Sequence, residues 1–167
     1  MAKILVLAPS GFGKSTSLGK IPQYEIQGLN PEETFVITAT SKPLPFKGSG
    51  SLYKACDITK PPTKENGNRL ISNNGETVAK AIDYIAANRP DIKNVVLDDS
   101  NYIMQDYYMA NAKKKGYDVF KELGMMMDKI FTAAENMHDK HFIMMAHYEE
   151  YKTSTDDTIS YRFKTVG

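Results

Sequence analysis

The chain has 167 residues, enough for one domain with a real core, and its 41% hydrophobic and 25% charged content is that of an ordinary globular protein. Its 21 basic and 20 acidic side chains leave a formal net charge of +1, which excludes a global electrostatic pull toward nucleic acid or anionic membrane; such binding needs a local patch. The single cysteine, Cys56, excludes an internal disulfide and fits a reducing cytosol.

In chain order, Met1-Ala2-Lys3 precedes only five apolar residues, Ile4 to Ala8, too short for the apolar core of a signal peptide. No stretch approaches the roughly 18 apolar residues that cross a bilayer, so a soluble, cytoplasmic protein without membrane contact is expected. Ile4 to Ala8, ended by Pro9, reads as a strand buried on both faces of a parallel sheet. Residues 15–20 predict a short helix closed by Gly19 and Pro22. The β-branched run Thr34 to Thr40 reads as a second strand. Residues 41–68, with Pro43, Pro45, Pro61, Pro62 and several glycines, read as a long irregular excursion, either functional or disordered.

Asn73 followed by Glu76 resembles a capping box, and Val78, Ala81, Ile82, Ile85 and Ala86 then fall at helical spacing until Pro90. Val95 to Leu97 reads as a third buried strand ending in Asp98-Asp99, and residues 101–112 as a helix. Apolar positions from Val119 to Met137 give the clearest amphipathic helix. Phe142 to Ala146 predicts a fourth strand ending at His147, and Ile159 to Phe163 begins a fifth. Strands alternating with helices imply an α/β fold with a mainly parallel sheet of about five strands, covered on both faces, in one domain spanning 1–167.

The run Ala8-Pro9-Ser10-Gly11-Phe12-Gly13-Lys14-Ser15 fits the phosphate-binding P-loop pattern, with alanine at its first position. Gly11 and Gly13 let the backbone curl so that successive N–H groups face phosphate oxygens, and a helix starting near Lys14 adds its positive end. Lys14 can then reach the β and γ phosphates, and the Ser15 hydroxyl can ligate Mg²⁺. Pro9, Ser10, Gly11, Phe12, Gly13, Lys14, Ser15 and Thr16 are therefore the candidate nucleotide-binding residues, with ATP and Mg²⁺ as the cofactors.

Such a loop needs an acid on the Mg²⁺ side, at the tip of a neighbouring strand. Asp98 directly follows the apolar run and is the candidate metal ligand beside Ser15; Asp99 is then placed to orient or deprotonate the attacking water. A one-residue shift exchanges the two roles, and Asp-Asp-Ser-Asn before a helix is also good capping chemistry. His147, the polar tip of the fourth strand, is a candidate γ-phosphate sensor; a strand-end histidine satisfied by solvent or backbone is the plain alternative. His138 and His141 form no metal-ligand pattern with the lone cysteine and read as surface residues.

No guanine-reading Asn-Lys-x-Asp occurs, and the three arginines, Arg69, Arg89 and Arg162, are too scattered for a small-molecule kinase clamp. The segments "LVLAPSGFGKST", "TFVITATSKPLPFKG", "NVVLDDSNYIM", "GYDVFKELG", "FIMMAHYE" and "FKTVG" together resemble the phage-encoded AAA ATPases of RecA-like fold, some of which act as single-strand annealing recombinases. The resemblance spans nearly the whole chain. It implies a three-layer P-loop NTPase in which Gly13, Lys14, Ser15 and Thr16 carry the nucleotide, Asp98 the metal and His147 the sensor position. It further implies ATP hydrolysis coupled to phage DNA recombination or replication in the host cytoplasm, with single-stranded DNA and further copies of the chain as partners. Two departures stand out. No glutamate ends the 34–40 strand to activate water, so either Asp99 substitutes or hydrolysis is slow; and proteins of this group usually carry further strands beyond such a Lys-Thr-Val-Gly segment, which implies a chain that runs on past Gly167.

For DNA contact, Lys113-Lys114-Lys115 lies near Tyr107, Tyr108 and Tyr117, pairing charge with rings that can stack on bases, although a lysine run is also an ordinary solvated helix end. Residues 149–158 carry −4 + 1 = −3, a poor phosphate groove, whereas residues 42–64 carry five lysines against Asp57 alone, a net of +4. The excursion is thus a candidate contact for nucleic acid or for a neighbouring subunit's nucleotide. A nucleotide-gated assembly or loader protein without direct DNA binding is the alternative reading.

Overall fold

A computed structural model describes residues 1–114, 117–152 and 159–165. Five parallel strands form one sheet: β1 (Lys3–Leu7), β2 (Thr34–Thr38), β3 (Arg69–Ile71), β4 (Asn94–Asp98) and β5 (His141–Ala146), in the spatial order β1-β5-β4-β2-β3. The fold is therefore α/β, as the alternation of strand and helix patterns requires. Four α-helices are described: the short α1 (Ser49–Leu52), then α2 (Gly75–Asn88), α3 (Asn101–Ala110) and α4 (Asp118–Glu135). The remaining strands, β6 (Tyr148–Lys152) and β7 (Ile159–Phe163), make a separate antiparallel pair.

The two-residue period of the strands sorts their side chains onto two faces. Phe35, Ile37, Val95, Leu97, Phe142 and Met144 face α2, α3 and α4, where Val78, Ile82, Ile85, Ile103 and Ile130 complete the main core. Val36, Val96 and Met145 face the other way, against Leu18, Leu44 and Tyr53. This second face is covered not by long helices but by a single 3₁₀ turn at Ser15–Leu18 and by the proline-rich excursion. The excursion is an ordered layer: the Ser49 hydroxyl donates to the Leu44 carbonyl at 2.9 Å, and the Phe46 and Tyr53 rings meet edge to face at 6.1 Å.

Four expectations are corrected. β1 is an edge strand rather than one buried on both faces: Ile4 and Leu5 are 42% and 50% exposed, because only β5 adjoins it. The fifth strand of the parallel sheet is Arg69–Ile71, too short and too polar at its start to show an apolar run, whereas Ile159–Phe163 pairs only with β6. The segment after the glycine loop is one 3₁₀ turn, so little macrodipole adds to the backbone N–H groups there. Finally α2 is capped by Asn74, whose side chain accepts from the Thr77 N–H at 2.9 Å, one residue later than the Asn73–Glu76 box predicts. Among the described residues, no helix is long and apolar enough to cross a membrane.

Candidate functional site

All five strands of the sheet run the same way, so their C-terminal ends share one edge. β5 lies between β1 and β4, which puts the loop after Leu7, the tip at His147 and the acids Asp98-Asp99 in adjacent positions. A cleft of about 370 Å³ opens there, lined by Ser10, Gly11, Gly13, Lys14, Ser15 and Thr16 from the glycine-rich loop, by Asp98 and Asp99, and by His147. Gly11 and Gly13 have φ of 81° and 83°, the left-handed conformation that lets the loop curl without a Cβ clash. The Phe12 side chain stays outside the cleft, 76% exposed, and Pro9 contributes its carbonyl rather than its ring.

Lys14 is nearly buried. Its ammonium donates to the Ala8 carbonyl at 2.7 Å and the Pro9 carbonyl at 3.0 Å, and stands 3.3 Å from His147 Nδ1. Burial lowers its pKa, and the carboxylates of Asp99 and Asp98 act in the opposite direction. A cation whose fixed partners are two neutral carbonyls has charge left to offer an anion.

Asp98 shares a face with Val96, Val36 and Thr38 by the strand period, which aims it toward the glycine loop. It is 3% exposed, and burial pushes its carboxyl up to about 6, against the lowering effect of the Ser15 hydroxyl beside it. Its Oδ1 is buried with no hydrogen-bond partner among the described residues. An orphaned carboxylate oxygen next to a hydroxyl is a donor set that a hard divalent cation satisfies, so the residues present fit Mg²⁺. The described residues contain no group of three or more His, Cys, Asp or Glu side chains able to hold a metal alone, whereas Mg²⁺ commonly takes one or two protein ligands and the rest from phosphate and water.

Asp99 adopts φ 57°, left-handed for a non-glycine residue, and its Oδ1 lies 3.6 Å from His147 Nε2. The two acids therefore face different partners: Asp98 the Ser15 hydroxyl, Asp99 the imidazole. His147 is held from behind, where Asn101 Oδ1 accepts its backbone N–H at 2.6 Å. The Ser100 hydroxyl and N–H both donate to the Met145 carbonyl, at 3.1 Å each. Ser100 makes no side-chain cap at the N-terminus of α3; Ser100 and Asn101 instead lock the end of β4 to the end of β5.

Several residues of the site are absent from the sequence expectations. Thr38, Thr40, Lys42, Pro43, Leu44 and Pro45 form the far wall of the cleft, so the excursion borders this chain's own loop. The signal was present in the position of Lys42, just past the C-terminal end of a parallel strand, where ligands of such sheets gather. Arg69, 7% exposed, donates to Thr38 Oγ1 at 3.2 Å and to the Lys42 carbonyl at 2.5 Å. Arg89 forks onto Asp91 and donates to the Pro62 carbonyl at 2.8 Å, while Arg162 pairs with Glu149 at 2.7 Å.

The candidate DNA residues divide. Lys114 pairs with Glu122, which also accepts the Tyr107 hydroxyl, so both are engaged within the fold. Tyr108 and Tyr117 flank Phe120 with ring centroids at 5.6 and 6.4 Å, and Tyr117 is 80% exposed. Lys115 and residues 153–158 lie outside the described residues. His138 is exposed, and His141 Nδ1 accepts from the Ala2 N–H at 3.2 Å; both sit at the opposite edge of the sheet from the cleft. No protein-family model matches the chain, and no curated protein matches it.

Proposed function

We propose that this protein is a RecA-like P-loop ATPase: a Mg²⁺-dependent enzyme that binds and hydrolyses ATP and couples the turnover to single-stranded DNA in phage recombination or replication. The observation that carries the reading is the convergence of Lys14, Ser15, Asp98, Asp99 and His147, from three separate strand ends, on one cleft whose buried Asp98 oxygen lacks a partner. In this reading the curled 8–16 backbone receives the phosphates and Lys14 leaves its two carbonyls for the β and γ oxygens. Ser15 and Asp98 would hold Mg²⁺, which neutralises charge on the β and γ phosphates when bound.

A water placed between Asp99 and the γ-phosphate would attack phosphorus as the bond to the bridging oxygen breaks, giving ADP and inorganic phosphate. Asp99 takes the water's proton, and His147 orients the same carboxylate through the 3.6 Å approach of its Nε2. Asp99→Asn is expected to keep Mg·ATP binding within about threefold and to lose on the order of a hundredfold or more in turnover. Lost binding with intact residual turnover would exchange the roles of the two acids. A phosphoryl-transfer kinase is disfavoured because the Arg69 and Arg89 guanidinium groups are buried and engaged within the fold, and Arg162 is paired with Glu149 on the β6–β7 pair, outside the residues that line the cleft.

The DNA part rests on the Tyr108–Phe120–Tyr117 ring cluster, of which Tyr117 is 80% exposed, close in sequence to the exposed Lys113, rings and a cation of the kind that stack bases and neutralise phosphates. The test is ATP turnover with and without single-stranded DNA. Stimulation that weakens steeply as salt rises supports the coupling, and no stimulation at low salt removes it. ATP-gated assembly is a second reading, favoured by the open outer edge of β1, whose Ile4 and Leu5 are half exposed on its two faces. Particle mass that rises with ATP and is indifferent to DNA would establish it.

A further inference from the structure

We propose that Lys42 is a second phosphate-binding cation of the cleft, held in position by the buried Arg69, and that it sets a preference for a nucleoside triphosphate over a diphosphate. The inference rests on the nucleotide-binding reading above and adds residues to it.

Burying a guanidinium is costly unless its donors are met. Arg69 lies on β3 almost wholly out of solvent and makes no ion pair among the described residues, although the Asp98 carboxylate acts on its charge through space. Its donors go instead to the Thr38 hydroxyl, at 3.3 and 3.2 Å, and to the backbone carbonyl of Lys42 at 2.5 Å. A charged group shared between one strand-end hydroxyl and one loop carbonyl is a positioning device: it ties the start of the excursion to the end of β2. Just beyond, Leu44 is buried and its carbonyl is held by Ser49, so the backbone on either side of Pro43 is fixed at both ends.

The Lys42 side chain is treated oppositely. It is exposed, lines the cleft across from the glycine loop, and its ammonium makes no hydrogen bond or ion pair among the described residues. Lys60, Lys80, Lys93, Lys114 and Lys121 all pair with carboxylates. The charged side chains lining the cleft are Lys14, Lys42, Asp98 and Asp99, a sum of 2 − 2 = 0; without Lys42 the wall is −1. A triphosphate brings one more charge than a diphosphate, and with both acids ionised Lys14 alone leaves that charge facing a net negative wall. The second lysine offsets it. Its position past the end of β2 supplies the cation from the side opposite Lys14.

Calorimetric titration of the full chain with Mg·ATP and with Mg·ADP tests this. Lys42→Ala should weaken Mg·ATP about tenfold and Mg·ADP by about threefold at most, while Lys42→Arg restores the wild-type ratio. Arg69→Lys should reproduce the loss of ATP preference, and adding Lys42→Ala to it should cost little more, because the two act as a unit. If Arg69→Lys melts below the assay temperature, Thr38→Val, which removes the hydroxyl anchoring the guanidinium, carries the same expectation. Lys42→Ala that weakens both nucleotides equally, or neither, overturns the inference and leaves the nucleotide reading standing. A wild-type chain that binds neither nucleotide overturns both. A folded Arg69→Lys or Thr38→Val with the wild-type ratio overturns the positioning role.

Discussion

Lys14→Ala should remove ATP turnover by on the order of a thousandfold or more and leave the melting temperature close to that of the wild type. The expectation follows from what Lys14 touches. Among the described residues its ammonium bonds the Ala8 and Pro9 carbonyls of its own loop and His147 Nδ1 at the tip of β5, none of them inside the hydrophobic core. Removing it exposes two carbonyls at the rim of an open cleft, where water replaces the lost donor, so the fold loses little. Phosphate binding, by contrast, loses its buried cation. The measurement is ATP hydrolysis together with thermal melting of both proteins. Wild-type turnover in the variant would remove the case for phosphate binding at the glycine loop.

Asp98→Asn should have two effects of opposite sign, raising the stability of the nucleotide-free protein and abolishing Mg²⁺-dependent turnover. Burial pushes the Asp98 carboxyl from 3.8 up to about 6, so the folded chain holds this proton more tightly than the unfolded one. The contribution of this group to stability is therefore greatest below about pH 4, falls as the pH rises through about 6, and stays low above that. A rise of about two pKa units corresponds to roughly 3 kcal/mol of destabilisation at neutral pH. An amide of the same shape is uncharged and escapes that cost, so the melting temperature should rise by roughly 6 °C or more at neutral pH and by little near pH 4. Mg·ATP should stabilise the wild type through mass action and leave the variant nearly unmoved. A variant that melts at or below the wild type at neutral pH would mean that the buried carboxylate is satisfied within the fold.

How far the site was legible depends on the range of the interaction that makes each part. Apolar run, turn and polar tip are local patterns, so β2, β4, β5, α2 and α4 could be read within a residue or two, together with the loop around Lys14, the acids Asp98-Asp99 and the tip at His147. Parallel strands bring all such tips to one edge, so the candidate site follows once the sheet is parallel. What stayed hidden depends on partners distant in sequence. β3 is three residues long and is recognisable only by its pairing with β2, and the open edge of β1 is a consequence of strand order rather than of its own apolar residues.

The division of labour between the two acids shows the same limit. By itself the sequence determined the α/β class, the glycine-rich turn with its lysine, and two adjacent carboxylates at a strand end, because propensity and periodicity are written in neighbouring residues. Only the tertiary structure decided that Asp98 is the buried acid beside Ser15, with one oxygen unpartnered among the described residues, while Asp99 turns to His147, since burial and backbone twist at one residue depend on what packs around it. It likewise decided that the proline-rich excursion is an ordered wall of the cleft, because the Arg69 guanidinium that anchors Lys42 stands 27 residues away in the chain.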